Sequence, residues 1–310
     1  MAQGVREVSV DSEIDHKAYL AMMDPVLRER LTARSDRAGL IHLVGHVAVI
    51  LGLGALIAVR VPLWWALLLP HGVAIAFLFT LQHETTHKTP FASERLNEWV
   101  GWASGLAIVQ PFLWFRYFHL AHHRFTNDPE RDPELGGVPK PDDWRSLAYH
   151  LSCLGYWRGK AVLLWTNAVG PIDAPYLPTR IHRRLRREAR GMLAIYGAIA
   201  LFSATVSPIL LWTWVLPLAL GFPVLRLYLL AEHGRCPFVA NMFDNTRTTY
   251  TNAVVRFLAW NMPYHVEHHV FPQVPFHLLP AFNAEIAGRE TQTAPSYRAF
   301  TRDYVAAFDR

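Results

Sequence analysis

The sequence predicts an all-α integral membrane protein with four transmembrane helices in two hairpins, interfacial helices between them and a histidine-rich cap on the cytosolic side. Three observations carry this expectation. Four apolar stretches have the roughly 20 residues that an α-helix needs to cross the hydrocarbon core. The composition, 52% hydrophobic with 11 Trp and 17 Phe, lies at the apolar end of what soluble domains show. The basic residues gather beside one end of the apolar stretches, which is the bias of cytosolic flanks.

The expected spans are 40–59, 62–82, 191–212 and 213–232. Arg60 and Val61 separate the first pair, and Trp212 adjoins Thr213 in the second, so each pair reads as a hairpin. Pro208, Pro217 and Pro223 fall in the second hairpin. Neighbouring helices and local backbone adjustments re-satisfy the groups that proline frees in a membrane, and kinks are expected there. Arg28, Arg30, Arg34 and Arg37 precede the first span and a basic run at 180–190 precedes the third, whereas the opposite turns offer Arg60 alone. That asymmetry places both termini and the long 83–190 connection in the cytosol, in a multi-pass protein. The chain then forms one domain, 1–310. It comprises a cytosolic N-terminal segment 1–39, a first hairpin 40–82, a cytosolic and interfacial region 83–190, a second hairpin 191–232 and a cytosolic segment 233–310.

Within the long connection, 96–118 is apolar and aromatic but interrupted by Gly101, Gly105 and Pro111, and 147–169 is interrupted by Arg158, Gly159 and Lys160. A fifth span would reverse the side of everything after it, so both stretches are expected at the interface. Trp99, Trp102, Trp114 and Tyr117 would anchor the first of them. No nucleic-acid motif accompanies the formal charge of +5, so nucleic acid is not an expected partner. Two cysteines, Cys153 and Cys236, indicate neither a disulfide framework nor a thiolate metal site. The charged N-terminal stretch lacks the apolar core of a secretory signal.

Eight of the 16 histidines fall into three clusters, His83-Glu-Thr-Thr-His87, His119-Leu-Ala-His122-His123 and His265-Val-Glu-His268-His269. Residues at i, i+3 and i+4 share one helix face, so each cluster points its imidazoles one way. His233 ends the fourth span as His83 ends the second. All nine histidines therefore lie on one side, under an orientation assigned from charges and spans alone. A first-row metal takes about four to six ligands, so nine imidazoles point to two ions. Imidazole suits iron, zinc, copper and nickel alike. A zinc pair serving hydrolysis is more usually bridged by carboxylates, and the near absence of carboxylates in the clusters favours redox chemistry. The first cluster also spells the zinc-protease signature, with Glu84 as base, a reading that leaves the other clusters without a role. Metal-bound imidazoles need partners for the second ring nitrogen. Glu84, Asp128, Asp132, Glu232, Asn261 and Glu267 lie near enough in sequence to serve. His42, His46 and His71 sit inside the first hairpin, where they either hydrogen-bond helix to helix or support the metal site or substrate entry.

The three clusters resemble the histidine boxes of the membrane-bound fatty acid desaturase and hydroxylase superfamily. Flanking residues add to the match, which runs from the first span to Pro272: His122-His123-Arg-Phe-Thr-Asn-Asp-Pro follows the second box, and Asn261-Met-Pro-Tyr-His265 leads to His268-His269-Val-Phe-Pro272. The resemblance implies a mushroom-shaped helical membrane domain with a tunnel for an acyl or alkyl chain. It also implies a centre of two iron ions (Fe2+) that uses O2 as co-substrate, held by His83, His87, His119, His122, His123, His233, His265, His268 and His269. Desaturation of a lipid-like substrate is the first expectation, hydroxylation by the same kind of centre the second, and a non-catalytic metal-binding membrane protein the third. No flavin, nicotinamide, haem or iron–sulfur motif occurs. Electrons are therefore expected from an external ferredoxin or cytochrome b5-like donor, drawn to the basic face. In some acyl-CoA desaturases an Asn one turn before the fourth-span histidine holds a water on the metal. That position is Leu229 here, which argues against such a water.

Overall fold

A computed structural model describes residues 14–137 and 139–308. Residues 1–13 of the expected N-terminal segment and 309–310 at the other end lie outside the described residues. Helix follows helix along the chain, and the strands among the described residues are a two-residue parallel pairing of Thr248–Thr249 with Thr293–Ala294. Side chains set the helix starts. Asp24 accepts from the N–H groups of Val26 and Leu27 ahead of Pro25–Leu31, Ser35 from Ala38 ahead of Asp36–Ala58, and Ser93 from Leu96 ahead of Glu94–Ala107. Each bond satisfies a donor that the first helical turn leaves free. Asp143 and Ser146 form a reciprocal capping box at Trp144–Ser152.

Among the described residues, three helical stretches are long and apolar enough to cross a bilayer: Pro25–Ala58, Trp64–His87 and Leu211–His233. Ile41, Val44 and Leu51 on the first are 64–65% exposed, a continuous apolar surface that suits lipid and not water. The expected 191–212 span takes a different form. The helix His182–Thr205 opens on its basic turns, which leaves only 191–205 apolar, and it ends before Pro208. The proline ring cannot continue the helix, so the break falls at 206–208 and not at the Trp212–Thr213 junction. A π turn, Leu211–Val215, then leads into Leu216–His233, which takes Pro217 in its first turn and carries Pro223 without ending. The two expected interfacial stretches each become a pair of helices. These are Glu94–Ala107 with Phe112–Phe125, parted before Pro111, and Trp144–Ser152 with Leu154–Val169, parted at Cys153 with φ 57°.

Leu68–Ala76 packs along Leu216–His233 at a glycine pair. A Cβ on Gly72 would lie 1.8 Å from the Pro217 carbonyl oxygen, and one on Gly221 would lie 2.1 Å from the Gly72 carbonyl carbon. Backbone meets backbone there, as at small-residue crossings in membranes. The contact sets the spacing of the two stretches whose ends carry His83, His87 and His233.

His46 is fully buried; it donates Nε2–H to Ala74 O at 2.9 Å and accepts Trp260 Nε1–H at 3.1 Å. His42 donates to Phe257 O at 2.7 Å and His71 to Thr213 O at 2.8 Å. All three intramembrane histidines thus bond helix to neighbouring segment, the plainer of the two expectations. Trp260 joins Phe77, Phe222, Tyr228 and Phe276 in the main core, which also takes Val266 and Val270 of the third box.

Gly221→Val should abolish monodisperse protein in size-exclusion chromatography, because backbone blocks the added carbons. Gly191→Ala, whose Cβ meets nothing within 4 Å, should elute as the parent does.

Candidate metal centre

The first box closes the Leu78–His87 helix, with His83 and His87 one turn apart and Lys88 at φ 59° stopping the helix after them. The second occupies the last turns of Phe112–Phe125, and the third the six-residue helix His265–Val270. The chain enters that short helix through Trp260 and Asn261, at φ 51° and 56°. Successive left-handed residues other than glycine are uncommon. Here the buried Trp260 indole and the bond from Asn261 Nδ2–H to Phe276 O at 3.0 Å hold the turn that aims the third box at the others. His233 is the last residue of Leu216–His233.

All nine histidines converge. His83, His87, His119, His123 and His268 each bring a ring nitrogen within 4.8 Å of the others, as do His122, His233 and His269. His265 joins the second set, with its Nε2 3.2 Å from that of His233. Nε2 meets Nε2 at 2.9 Å in His87–His119 and His119–His123, at 3.1 Å in His123–His268 and at 3.2 Å in His122–His233. A neutral ring carries a single N–H; His122 and His233 each place it on Nδ1, so their Nε2 lone pairs face one another, and the buried His269 Nε2 has no partner. Two nitrogens bound at right angles about 2.1 Å from one ion sit about 3 Å apart, so the donor sets fit a metal ion in each cluster. Burial, reinforced by neighbouring charges, holds His119, His123, His265, His268 and His269 well below the ordinary imidazole range. The rings therefore stay in the neutral form that binds metal.

The second ring nitrogens are served unevenly. The buried Asp132 accepts His122 Nδ1–H at 2.9 and 3.0 Å, and Glu134 Oε2 lies 3.2 Å from the same nitrogen. Burial by itself would lower His122; Glu134 and then Asp132 outweigh it and raise it. The carboxylates hold the proton on Nδ1 and leave Nε2 facing the cluster. His233 Nδ1 donates to Asn245 O at 3.3 Å, and His269 Nδ1 meets Thr126 Oγ1 at 3.2 Å. Glu232 Oε1 stands 3.6 Å from His265 Nδ1 and Glu84 Oε1 3.9 Å from His268 Nδ1, beyond hydrogen-bond reach.

Glu84 is engaged elsewhere: its Oε2 accepts from Thr89 Oγ1 at 2.9 Å and from Phe276 N–H at 3.2 Å. It braces the third-box loop against the first-box helix, a position unlike that of a protease base. Glu267 is braced in the same way by Thr248 Oγ1 at 2.6 Å and Asn283 Nδ2 at 2.5 Å. Asp128 pairs with Arg131 at 2.8 Å, and among the described residues neither it nor Asn261 touches a box histidine. Sequence proximity overlooked Glu134, Thr126, Asn245 and Lys140, whose Nζ donates to His233 O at 3.1 Å. Glu134, two residues after Asp132, was findable. The Asn245 contact uses a backbone carbonyl and leaves no trace in residue type.

Both clusters open on a cavity of about 470 Å³. Phe79, Trp114, Phe115, Phe118, Leu163 and Leu229 give it an apolar wall beside His83, His119, His122, His233 and His265, and Gln110, Lys160 and Arg226 also line it. Leu229 faces the cavity, so the position four residues before His233 presents no oxygen donor.

Asp132→Ala should weaken metal retention by the His122 cluster about 10–100-fold in chelator competition and leave the five-histidine cluster unchanged. Equal loss from both would show that Asp132 does not act through His122.

The fatty acid desaturase family model matches residues 58–301. The chain is 24% identical over 227 residues to the sn-1 oleoyl-lipid 12-desaturase of Arthrospira platensis, covering 67% of this chain and 64% of that protein. It is 26% identical over 219 residues to the dihydrorhizobitoxine desaturase of Bradyrhizobium elkanii, covering 65% and 61%. It is 24% identical over 228 residues to the sphingolipid delta(4)-desaturase DES1 of Mus musculus, covering 71% and 64%. The matched regions thus span 61–64% of the length of these relatives. With the family model covering most of its length, from the end of the first long helix into the last, the chain belongs to the fatty acid desaturase family.

Proposed function

We propose that the chain is a membrane-bound, O2-dependent oxidoreductase with two irons, that it acts on C–H bonds of an acyl or alkyl chain, and that its reaction is desaturation. One observation carries the reading: two all-histidine clusters share one aromatic-lined cavity. Relatives named as desaturases support the reaction type. His83, His87, His119, His123 and His268 would hold one ion, and His122, His233, His265 and His269 the other. When bound, such a pair supplies the oxygen activation needed to remove hydrogen from an unactivated methylene.

The protein's own residues supply position. Asp132 fixes the His122 ring, while Phe79, Phe115 and Phe118 exclude water from the chain's path and orient it across the histidines. Which product forms depends on that orientation at sub-ångström scale. His87 and His233 end two membrane-spanning stretches, so both stretches deliver their C-terminal ends to the same side. With the basic run at 180–190, this supports a cytosolic site and cytosolic termini. An external ferredoxin or cytochrome b5-like donor would reduce the centre from that face.

Purified protein should hold two irons per chain and consume O2 only with a reductant. Lipids from cells expressing it should contain a product lighter by two hydrogens, absent with His265→Ala or His268→Ala. A product heavier by one oxygen would reassign the reaction to hydroxylation, and zinc without O2 uptake would end the oxidative reading.

Gly159 lines the cavity, and a Cβ there meets nothing within 4 Å. Gly159→Leu should therefore fill the substrate's space, lowering turnover by about tenfold or more at unchanged metal content.

A further inference from the structure

Part of the cavity wall is rich in hydrogen-bond donors and poor in acceptors. Gln110, 2% exposed, turns its Oε1 to the Lys160 ammonium and leaves Nε2 without a partner. The ammonium carries three N–H groups, and its other neighbours are ring faces, with Trp114 and Tyr156 centred 5.2 and 5.0 Å from Nζ. The Arg226 guanidinium lies 5.7 Å from the same Tyr156 ring, donates to His150 Nδ1 at 2.8 Å and leaves its buried Nε unpartnered. Arg226 belongs to a membrane-spanning stretch, where a cation is costly and its retention points to function.

Among the described residues, no carboxylate forms an ion pair with Lys160 or Arg226. The two acids on the cavity wall, Glu134 and Glu232, stand beside His122 and His265. Burial, with the Arg226 charge adding to it, pulls Lys160 down to about 7. An anion beside two such cations would relieve that penalty.

We propose that Lys160, Arg226 and the Gln110 amide form a seat for a carboxylate of the substrate, which therefore enters the histidine-lined cavity as a free acid, head included. The consequence for catalysis rests on the oxidative reading of this cavity; the binding does not. Arg226 and His233 are seven residues apart on one helix, roughly 10 Å of rise. The carbon presented to the histidines thus lies on the order of 10 Å from the acid group. A lipid whose carboxyl is esterified lacks the group this seat takes.

Equilibrium binding of octanoate and methyl octanoate to the metal-loaded, full-length chain in nanodiscs tests the proposal. Octanoate should saturate the parent protein, and its affinity should fall at least tenfold in Lys160→Met and in Arg226→Gln while Lys160→Arg retains it. Methyl octanoate should bind weakly to all four. Melting temperature and metal content identify a variant that has merely unfolded. In that case the parent and Lys160→Arg, each compared for acid against ester, decide the matter. Equal binding of acid and ester by the parent, no octanoate saturation, or unchanged octanoate affinity in a folded Lys160→Met protein would overturn the seat. Octanoate selectivity in a protein that takes up no O2 would keep the seat and reject the oxidative reading. O2 uptake without selectivity would do the reverse.

Discussion

Nine imidazoles, with Nε2 atoms as close as 2.9–3.2 Å, converge inside the molecule, and the rest of the molecule follows from that constraint. The Nε2 lone pairs of His122 and His233, whose protons sit on Nδ1, repel, and burial of the His233 ring disfavours a second proton there. The arrangement persists because rigid elements impose it from several directions. The Gly72–Gly221 crossing sets the distance between the stretches that end in His87 and His233. The Glu84 carboxylate bonds the first-box helix to the loop after the third box. His46 reaches from the first long helix to Trp260, at the turn that enters the third box. Membrane helices and cap are thereby one mechanical unit, and a metal in each cluster would convert its least favourable feature into its most favourable one.

The parts legible in the sequence were those with a local period. The i, i+3 and i+4 spacing put each box on one helix face, and charge asymmetry put the boxes on one side, so the nine-histidine convergence could be anticipated without a fold. The break at 206–208 was harder to see because hydropathy runs straight through it; only the ring of Pro208 interrupts the backbone. Asp128 and Asp132 looked equivalent, four residues apart beside the same box. The positive φ of Asn127, 57°, folds the chain back so that Asp132 also accepts Asn127 N–H at 2.8 Å, which locks it under His122, while Asp128 turns outward to Arg131. Nothing in residue type separates those outcomes.

The cavity wall shows the same limit from another side. Gln110, Lys160 and Arg226 lie on three helices or their ends and are separated by 50 and 66 residues, so no window of sequence contains the set. Lys160 even reads as an interruption of an apolar stretch, the usual mark of a surface position. Its meaning depends on Trp114 and Tyr156 closing over it, which is tertiary information.

One helix face then orders the whole chamber. Arg226, Leu229 and His233 follow each other at i, i+3 and i+7, the spacing of a single stripe, and all three line the cavity. Opposing them, Gly155, Gly159 and Leu163 repeat every four residues on Leu154–Val169 and also line it, with Tyr156 and Lys160 on the adjoining row. The first stripe runs from a cation, past an apolar side chain, to a histidine, and suits a molecule whose polarity falls in the same order. Gly159 on the facing stripe, where a Cβ would meet nothing within 4 Å, leaves room for its body. A water ligand supplied from the Leu229 position would need a polar side chain midway along that gradient, where it would interrupt the apolar passage between head and reacting carbon. The leucine is therefore consistent with the rest of the chamber: selection for an amphiphile and the absence of an oxygen donor at position 229 follow from the same stripe.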